Sequence, residues 1–184
     1  MSARGGPGIA LLRGINVGRA KRIAMADLRA LFEELGFTDV RTVLNSGNVV
    51  FGGGKFAPGK AAAAIEAALV QRLGVASRVT VLGAAELQAV VDGNPLLGQA
   101  TDHARLVAFI LAGADQRKLL EPLARQDWAP GALAIGERAA YVWCPTGVLD
   151  SAAAAAVSGA LGDATTSRNW NTLRKLRELC APAP

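Results

Sequence analysis

A chain of 184 residues, 51% hydrophobic and 19% charged, is long enough for one larger domain or two small ones and too apolar to be disordered. Lys and Arg number 20 against 15 Asp and Glu, and the formal charge of +5 suits solubility first and an anionic partner second. No apolar run approaches the ~18 residues of a membrane span, the two cysteines lack zinc-type spacing, and residues 1–7 have no apolar signal core.

Residues 9–12 are an apolar run that stops at Arg13-Gly14-Ile15-Asn16, so we read a buried strand and the loop leaving it. Leu28, Leu31, Phe32 and Leu35 fall at helical spacing. Asp27 sits in the first turn, where it favours the positive end of the helix dipole, and Gly36 is placed as a left-handed C-terminal cap. That predicts a helix over residues 25–35. The β-branched stretches 40–44 and 49–51 flank Asn45-Ser46-Gly47-Asn48, which has the chemistry of a hairpin turn. Gly52-Gly53-Gly54 is a flexible exit. Pro58 starts a second helix carrying Ile65, Leu69 and Leu73, and Gly74 ends it. Residues 78–82 alternate as a strand. Strand, helix, strand, strand, helix, strand is the order of a ferredoxin-like half, here residues 8–82.

A short helix opens at Gly83, with Glu86 able to reach back to a free N–H, and ends before Asn94-Pro95. With the loop after it, this makes a joint over residues 83–104. The order of elements then repeats over residues 105–181. Residues 106–111 form an apolar strand, and Asp115 caps a helix carrying Leu119, Leu120 and Leu123. Residues 133–135 and 139–144 pair around Gly136-Glu137-Arg138. Asp150 or Ser151 caps an Ala-rich helix ending at Gly162, and residues 164–167 form a short last strand. A final helix, capped by Asn169 or Asn171, carries Leu173, Leu176, Leu179 and Cys180 on one side. The tail Ala181-Pro182-Ala183-Pro184 cannot continue it. The expected class is α+β: two tandem ferredoxin-like (βαββαβ) halves plus extra helices, which we take as a duplication.

Three stretches carry most of the polar chemistry: Leu11-Leu12-Arg13-Gly14-Ile15-Asn16-Val17-Gly18, Ser46-Gly47-Asn48-Val49-Val50-Phe51 and Arg168-Asn169-Trp170-Asn171-Thr172. With Met25, Leu28, Gly36-Phe37 and residues 40–42 between them, the sequence resembles the domain-of-unknown-function family 1697 over nearly its whole length. The resemblance implies an α+β fold of two similar ferredoxin-like halves and brings no established activity. The chain departs from the family pattern at Val43, where an aromatic is usual, at Asn45, where Gln is usual, and at Ala152, where a basic residue is usual.

The three stretches are rich in amides and cations and poor in carboxylates. Arg13, at a strand end, offers a planar fork of donors to a carboxylate or phosphate, or else makes a structural ion pair. Asn16 forms a turn, and Lys21-Arg22 does not place the Lys-Ser or Lys-Thr that a phosphate-binding P-loop needs. Ser46 and Asn48 are turn residues or exposed donors beside the first loop. Arg168, Asn169, Trp170 and Asn171 combine a cation, a stacking face and helix N–H groups, which suits an anion or a base. The same four residues also suit a buried Trp and a helix cap. His103 is the single histidine, so no metal site is expected, and no Cys/His nucleophile pair is evident.

We therefore expect a cytoplasmic protein with reduced cysteines, no membrane segment, no metal and no cofactor, present as a monomer or homodimer. The ligand-binding candidates are Arg13, Asn16, Lys21, Ser46, Asn48, Arg168, Asn169, Trp170 and Asn171. The expected function is binding of an anionic, phosphate-containing ligand, either a nucleotide or single-stranded nucleic acid. Two alternatives stay open. One is an enzyme acting on a small phosphorylated substrate, with Arg13 and Arg168 clamping the phosphate. The other is a structural or interaction protein whose motifs only lock the fold.

Overall fold

The computed structural model describes residues 6–54 and 56–181; most of the 1–7 stretch, through residue 5, and the tail from residue 182 lie outside the described residues. The chain runs through β1 (Gly8–Leu12), α1 (Met25–Glu34), β2 (Thr38–Val43), β3 (Asn48–Gly52), α2 (Pro58–Leu73) and β4 (Val79–Gly83). After α3 (Ala84–Asp92) come β5 (Leu106–Ile110), α4 (Ala114–Ala124), β6 (Ala132–Ile135), β7 (Ala139–Trp143) and α5 (Ala152–Leu161). A 3-10 turn at Gly162–Ala164 then leads into β8 (Ser167–Asn169) and α6 (Trp170–Cys180). The fold is mixed α+β, with two four-stranded antiparallel sheets ordered β2-β3-β1-β4 and β6-β7-β5-β8. The chain divides into two compact units, one of residues up to Leu87 together with those from Leu176 on, the other of Gln88–Lys175. No helix among the described residues is long and apolar enough to cross a membrane.

In the first unit, alternation along the strands decides the core. Ala10 and Leu12 of β1, Val49 and Phe51 of β3, and Val79 and Val81 of β4 share one face. Leu28, Leu31 and Phe32 of α1 and Ile65 and Leu69 of α2 pack into the same cluster. Phe51 sits among three other rings, with centroids 5.6 Å from Phe32, 4.4 Å from Phe37 and 5.2 Å from Phe56. Such pairs add about 0.5–1.5 kcal/mol each beyond their buried area. α1 stops as its sequence predicts. Gly36 has φ of 87°, and the Phe37 N–H donates to the Phe32 carbonyl, closing the helix end through a left-handed residue. At α3, the Glu86 carboxylate reaches back to accept from the Gly83 N–H at 2.9 Å, as expected.

The second unit repeats the plan with different side chains. Val107 and Phe109 of β5, Leu111 just after it, Ala140 and Val142 of β7, and Ala153, Ala154, Val157 and Leu161 of α5 form its core, with Leu120 from α4. Several expectations fail in detail. α4 begins at Ala114 after Gly113 rather than on an Asp115 cap, and Leu119 is exposed rather than part of the apolar stripe. The last strand is Ser167–Asn169, not residues 164–167, because Gly162–Ala164 turns and β5 pairs Phe109 with Ser167 and Val107 with Asn169. Thr165 faces inward instead, its hydroxyl donating to the Ile110 carbonyl at 2.7 Å.

Tyr141, fully buried in β7, donates its hydroxyl to the Val90 carbonyl at 2.7 Å. Desolvation by burial pushes its pKa from 10.0 up to about 12. In the unfolded chain the phenol ionises near 10 while the folded one keeps its proton. The unfolded state then binds fewer protons, so stability present below pH 10 is lost between pH 10 and about 12. By linkage that loss is on the order of 2 kcal/mol. Urea melts of Tyr141→Phe across this range should show a shallower alkaline decline than the wild type. Parallel declines for the two proteins would show that Tyr141 does not carry it.

Candidate functional site

The first loop is built on a buried strand end. After Leu12, the Arg13 N–H donates to the Arg78 carbonyl at 2.9 Å and to the Ser77 hydroxyl at 3.1 Å, while the Ser77 hydroxyl donates to the Arg13 carbonyl at 2.9 Å. The chain then bends through left-handed residues at Gly14, Asn16, Gly18 and Lys21, with Ile15 buried as an anchor. Asn16 holds this path in place. Its Nδ2 donates to the Ile23 carbonyl at 2.9 Å and the Asn45 carbonyl at 2.8 Å, and its Oδ1 accepts from the Ile23 N–H at 2.8 Å. The Asn16 N–H also donates to the Lys21 carbonyl at 3.0 Å. One side chain thus ties both ends of the loop to the neighbouring hairpin.

That hairpin carries the second stretch. Asn48 is fully buried, and its Nδ2 donates to the Val43 carbonyl at 2.8 Å and the Ser46 hydroxyl at 3.0 Å. The Gly47 carbonyl accepts from the Leu12 N–H at 2.8 Å. Gly47 itself has φ of 81°, and a Cβ there would lie 2.8 Å from Leu12 Cβ and Ile15 Cδ1. Only glycine fits both the turn and the approach of the first loop. The structure therefore brings Arg13, Asn16, Lys21, Ser46 and Asn48 together on two adjoining loops of the first unit. The amides of Asn16 and Asn48 are engaged with backbone carbonyls, whereas Lys21 and Ser46 are exposed and Arg13 is half-exposed.

The third stretch lies in the second unit. Arg168 is buried, with Nη1 donating to the Thr166 hydroxyl and the Ser167 carbonyl, both at 2.8 Å. Desolvation lowers its pKa from 12.5 to about 10, which leaves it a cation at neutral pH. Asn169 caps α6: its Oδ1 accepts from both the N–H and the hydroxyl of Thr172 at 2.9 Å. Trp170 is buried, edge-on to Tyr141 with ring centroids 6.3 Å apart. Its face is part of the core. Asn171 is exposed.

Two cations of the first loop were missing from the sequence-based candidates. Arg19 and Arg22 flank Lys21, all three are exposed, and none forms an ion pair among the described residues. Their signal was present: residues 13–26 contain four cations, Arg13, Arg19, Lys21 and Arg22, and no carboxylate. Among the described residues no three His, Cys, Asp or Glu side chains cluster as a metal site would.

The hairpin locks generate a stability test. Asn48→Ala removes a donor from a buried carbonyl and should cost about 1–3 kcal/mol. Gly47→Ala adds left-handed strain to an overpacked contact and should cost more, about 2–4 kcal/mol. Urea midpoints should fall in that order with unchanged slopes. A near-neutral Gly47→Ala would contradict the close approach described here.

The fold is similar to that of a conserved bacterial protein from Streptococcus pneumoniae, with a TM-score of 0.74 at 19% sequence identity, over 96% of this chain and 99% of that one. No curated protein matches the sequence. A family model described as protein of unknown function (DUF1697) matches residues 7–141, which takes in the first two polar stretches and leaves the third beyond its end. With most of its length matched by that model, the chain belongs to the DUF1697 family.

Proposed function

We propose that this protein binds an anionic, phosphate-containing ligand, a nucleotide or single-stranded nucleic acid, on the loop between β1 and α1. One observation carries this: Arg19, Lys21 and Arg22 stand exposed beside Arg13 on a loop with no carboxylate, and the Asn16 amide pins that loop to the hairpin. A fixed loop loses little conformational entropy on binding, so its cations meet a phosphate already arranged. Ser46, on the adjoining turn, adds a hydroxyl to the same surface. Of the third stretch, Asn171 remains an exposed donor, and the bonds of Arg168 and Asn169 and the burial of Trp170 favour a fold-locking role for the others. With the Trp face buried, recognition through phosphate is favoured over base stacking, and little sequence preference is expected.

The same proposal reads the two sheets as tandem ferredoxin-like halves. The shared element order and the shared strand order, β2-β3-β1-β4 and β6-β7-β5-β8, support it. Two free cysteines, Cys144 and Cys180, support a reducing, cytoplasmic setting.

Binding of single-stranded RNA, single-stranded DNA and free nucleotides, measured at several salt concentrations, tests the proposal. For three phosphate contacts, log K against log salt should fall with a slope of about −2 on a single strand. Replacing Arg19 and Arg22 with Gln should weaken binding of every sequence alike and reduce that slope by about 1 or more. Flat titrations with all three ligand types, or an unchanged slope in the double variant, would remove the proposal.

A further inference from the structure

The first unit also holds a cleft of about 500 Å³, in the range of small-molecule sites. It lies at the end of the sheet where Gly8 pairs with Phe51 and Thr38 with Gly52. The proposed phosphate-binding loop leaves the opposite end, after Leu12, so the two places are distinct. Thr38, Asp39, Arg41, Phe51, Leu179 and Cys180 are among the cleft's lining residues.

Three features set this cleft apart from an ordinary surface groove. The pairing of β2 with β3 slips between Thr38 and Arg41, an irregularity of the kind that re-aims side chains near binding sites. Asp39, inside that slip, has φ of 50°, a left-handed conformation that is uncommon outside glycine. Asp39 and Arg41 bring opposite charges to the lining from the same strand, both are exposed, and among the described residues neither forms an ion pair with the other or with a third group. The lining also includes the last turn of α6, where Leu179 supplies apolar surface and Cys180 a half-buried thiol.

We propose that this cleft binds a zwitterionic small molecule of amino-acid size, its anionic group on Arg41, its ammonium on Asp39 and its apolar part against Leu179. An Arg guanidinium meets a carboxylate through two parallel hydrogen bonds, which fixes orientation as well as charge. A ligand carrying only an anion leaves Asp39 uncompensated beside it, and a ligand carrying only a cation does the same to Arg41. The site therefore selects for both groups on one molecule.

Cys180 provides a native reporter. Cys144 is fully buried, so a thiol reagent applied to the folded protein labels Cys180. Burial raises the Cys180 thiol pKa, and the Arg41 charge pulls it part of the way back. Labelling rates are therefore compared with and without ligand within each variant. L-phenylalanine at about 10 mM should slow Cys180 labelling about threefold or more, as mass action requires for a Kd of about 5 mM or tighter. 3-Phenylpropionate and phenethylamine, each lacking one charge, should protect less. Arg41→Gln and Asp39→Asn should each lose the protection by phenylalanine; Asn is chosen at 39 because it tolerates the left-handed backbone. No protection by phenylalanine, equal protection by either single-charge analogue, or full protection retained in Arg41→Gln would overturn the proposal. Neither variant touches residues 13–22, so this result stands apart from the salt titrations.

Discussion

The Asn16 carboxamide is the constraint on which the polar end of the first unit depends. A loop that leaves a buried strand must find partners for its backbone groups, and a buried donor or acceptor left without one costs about 1–3 kcal/mol. Asn16 supplies two donors and an acceptor in one planar group, and all three are engaged: the Ile23 carbonyl, the Asn45 carbonyl and the Ile23 N–H. The left-handed conformation of Asn16 itself, φ of 55°, is one that Asn tolerates better than most residues. The Leu12–Gly47 backbone bond and the packing of Ile15 against Gly47 join the same loop and turn, and the Asn16 carboxamide adds the bond to the Asn45 carbonyl.

The same division of labour recurs in the other polar stretches. Amides hold backbone and cations are left to face outward. Asn48 closes the hairpin from inside, and Asn169 caps α6. Meanwhile Arg19, Lys21 and Arg22 project from the loop that Asn16 fixes. Motifs dense in Asn, Gly and Arg thus combine two jobs that are easily confused in a sequence. The amide positions set geometry, and the charge positions set what that geometry attracts. In the first unit the two kinds of residue interleave within about ten positions. In the second, the polar residues are mostly drawn inward, with Arg168 buried and Trp170 in the core.

Much of the fold was legible because local and tertiary signals agree. The apolar run at residues 9–12, the Gly36 stop and the Glu86 reach-back each depend on a few neighbouring residues, and each forms where the sequence points, whereas the turn expected at 45–48 forms one residue earlier, at 44–47, because Asn48 is drawn into β3. The misses come from long-range effects. The register of β8 is set by its pairing with β5, which starts the strand at Ser167 rather than at the expected residue 164. Leu119 sits at helical spacing beside Leu120 but faces solvent, since spacing alone does not say which neighbouring element covers a helix. The candidate site was legible by place and less so by role. No periodicity tells whether an Asn donates to a ligand or to a carbonyl 29 residues away, as Asn16 does to Asn45. The cleft at Asp39 and Arg41 had no motif at all, because it is made by a slip in strand pairing and by the far end of the chain.

Hydrogen exchange at one amide tests the central claim most directly. The Ile23 N–H is held by the Asn16 side chain, outside any helix or strand ladder. In the wild type it should exchange slowly. In Asn16→Ala it should exchange at close to the rate of an open loop, while the amides of β1 and β3 keep their protection. Equal protection of the Ile23 amide in both proteins would show that the loop keeps its shape without the carboxamide. The fixed cationic surface would then need another cause.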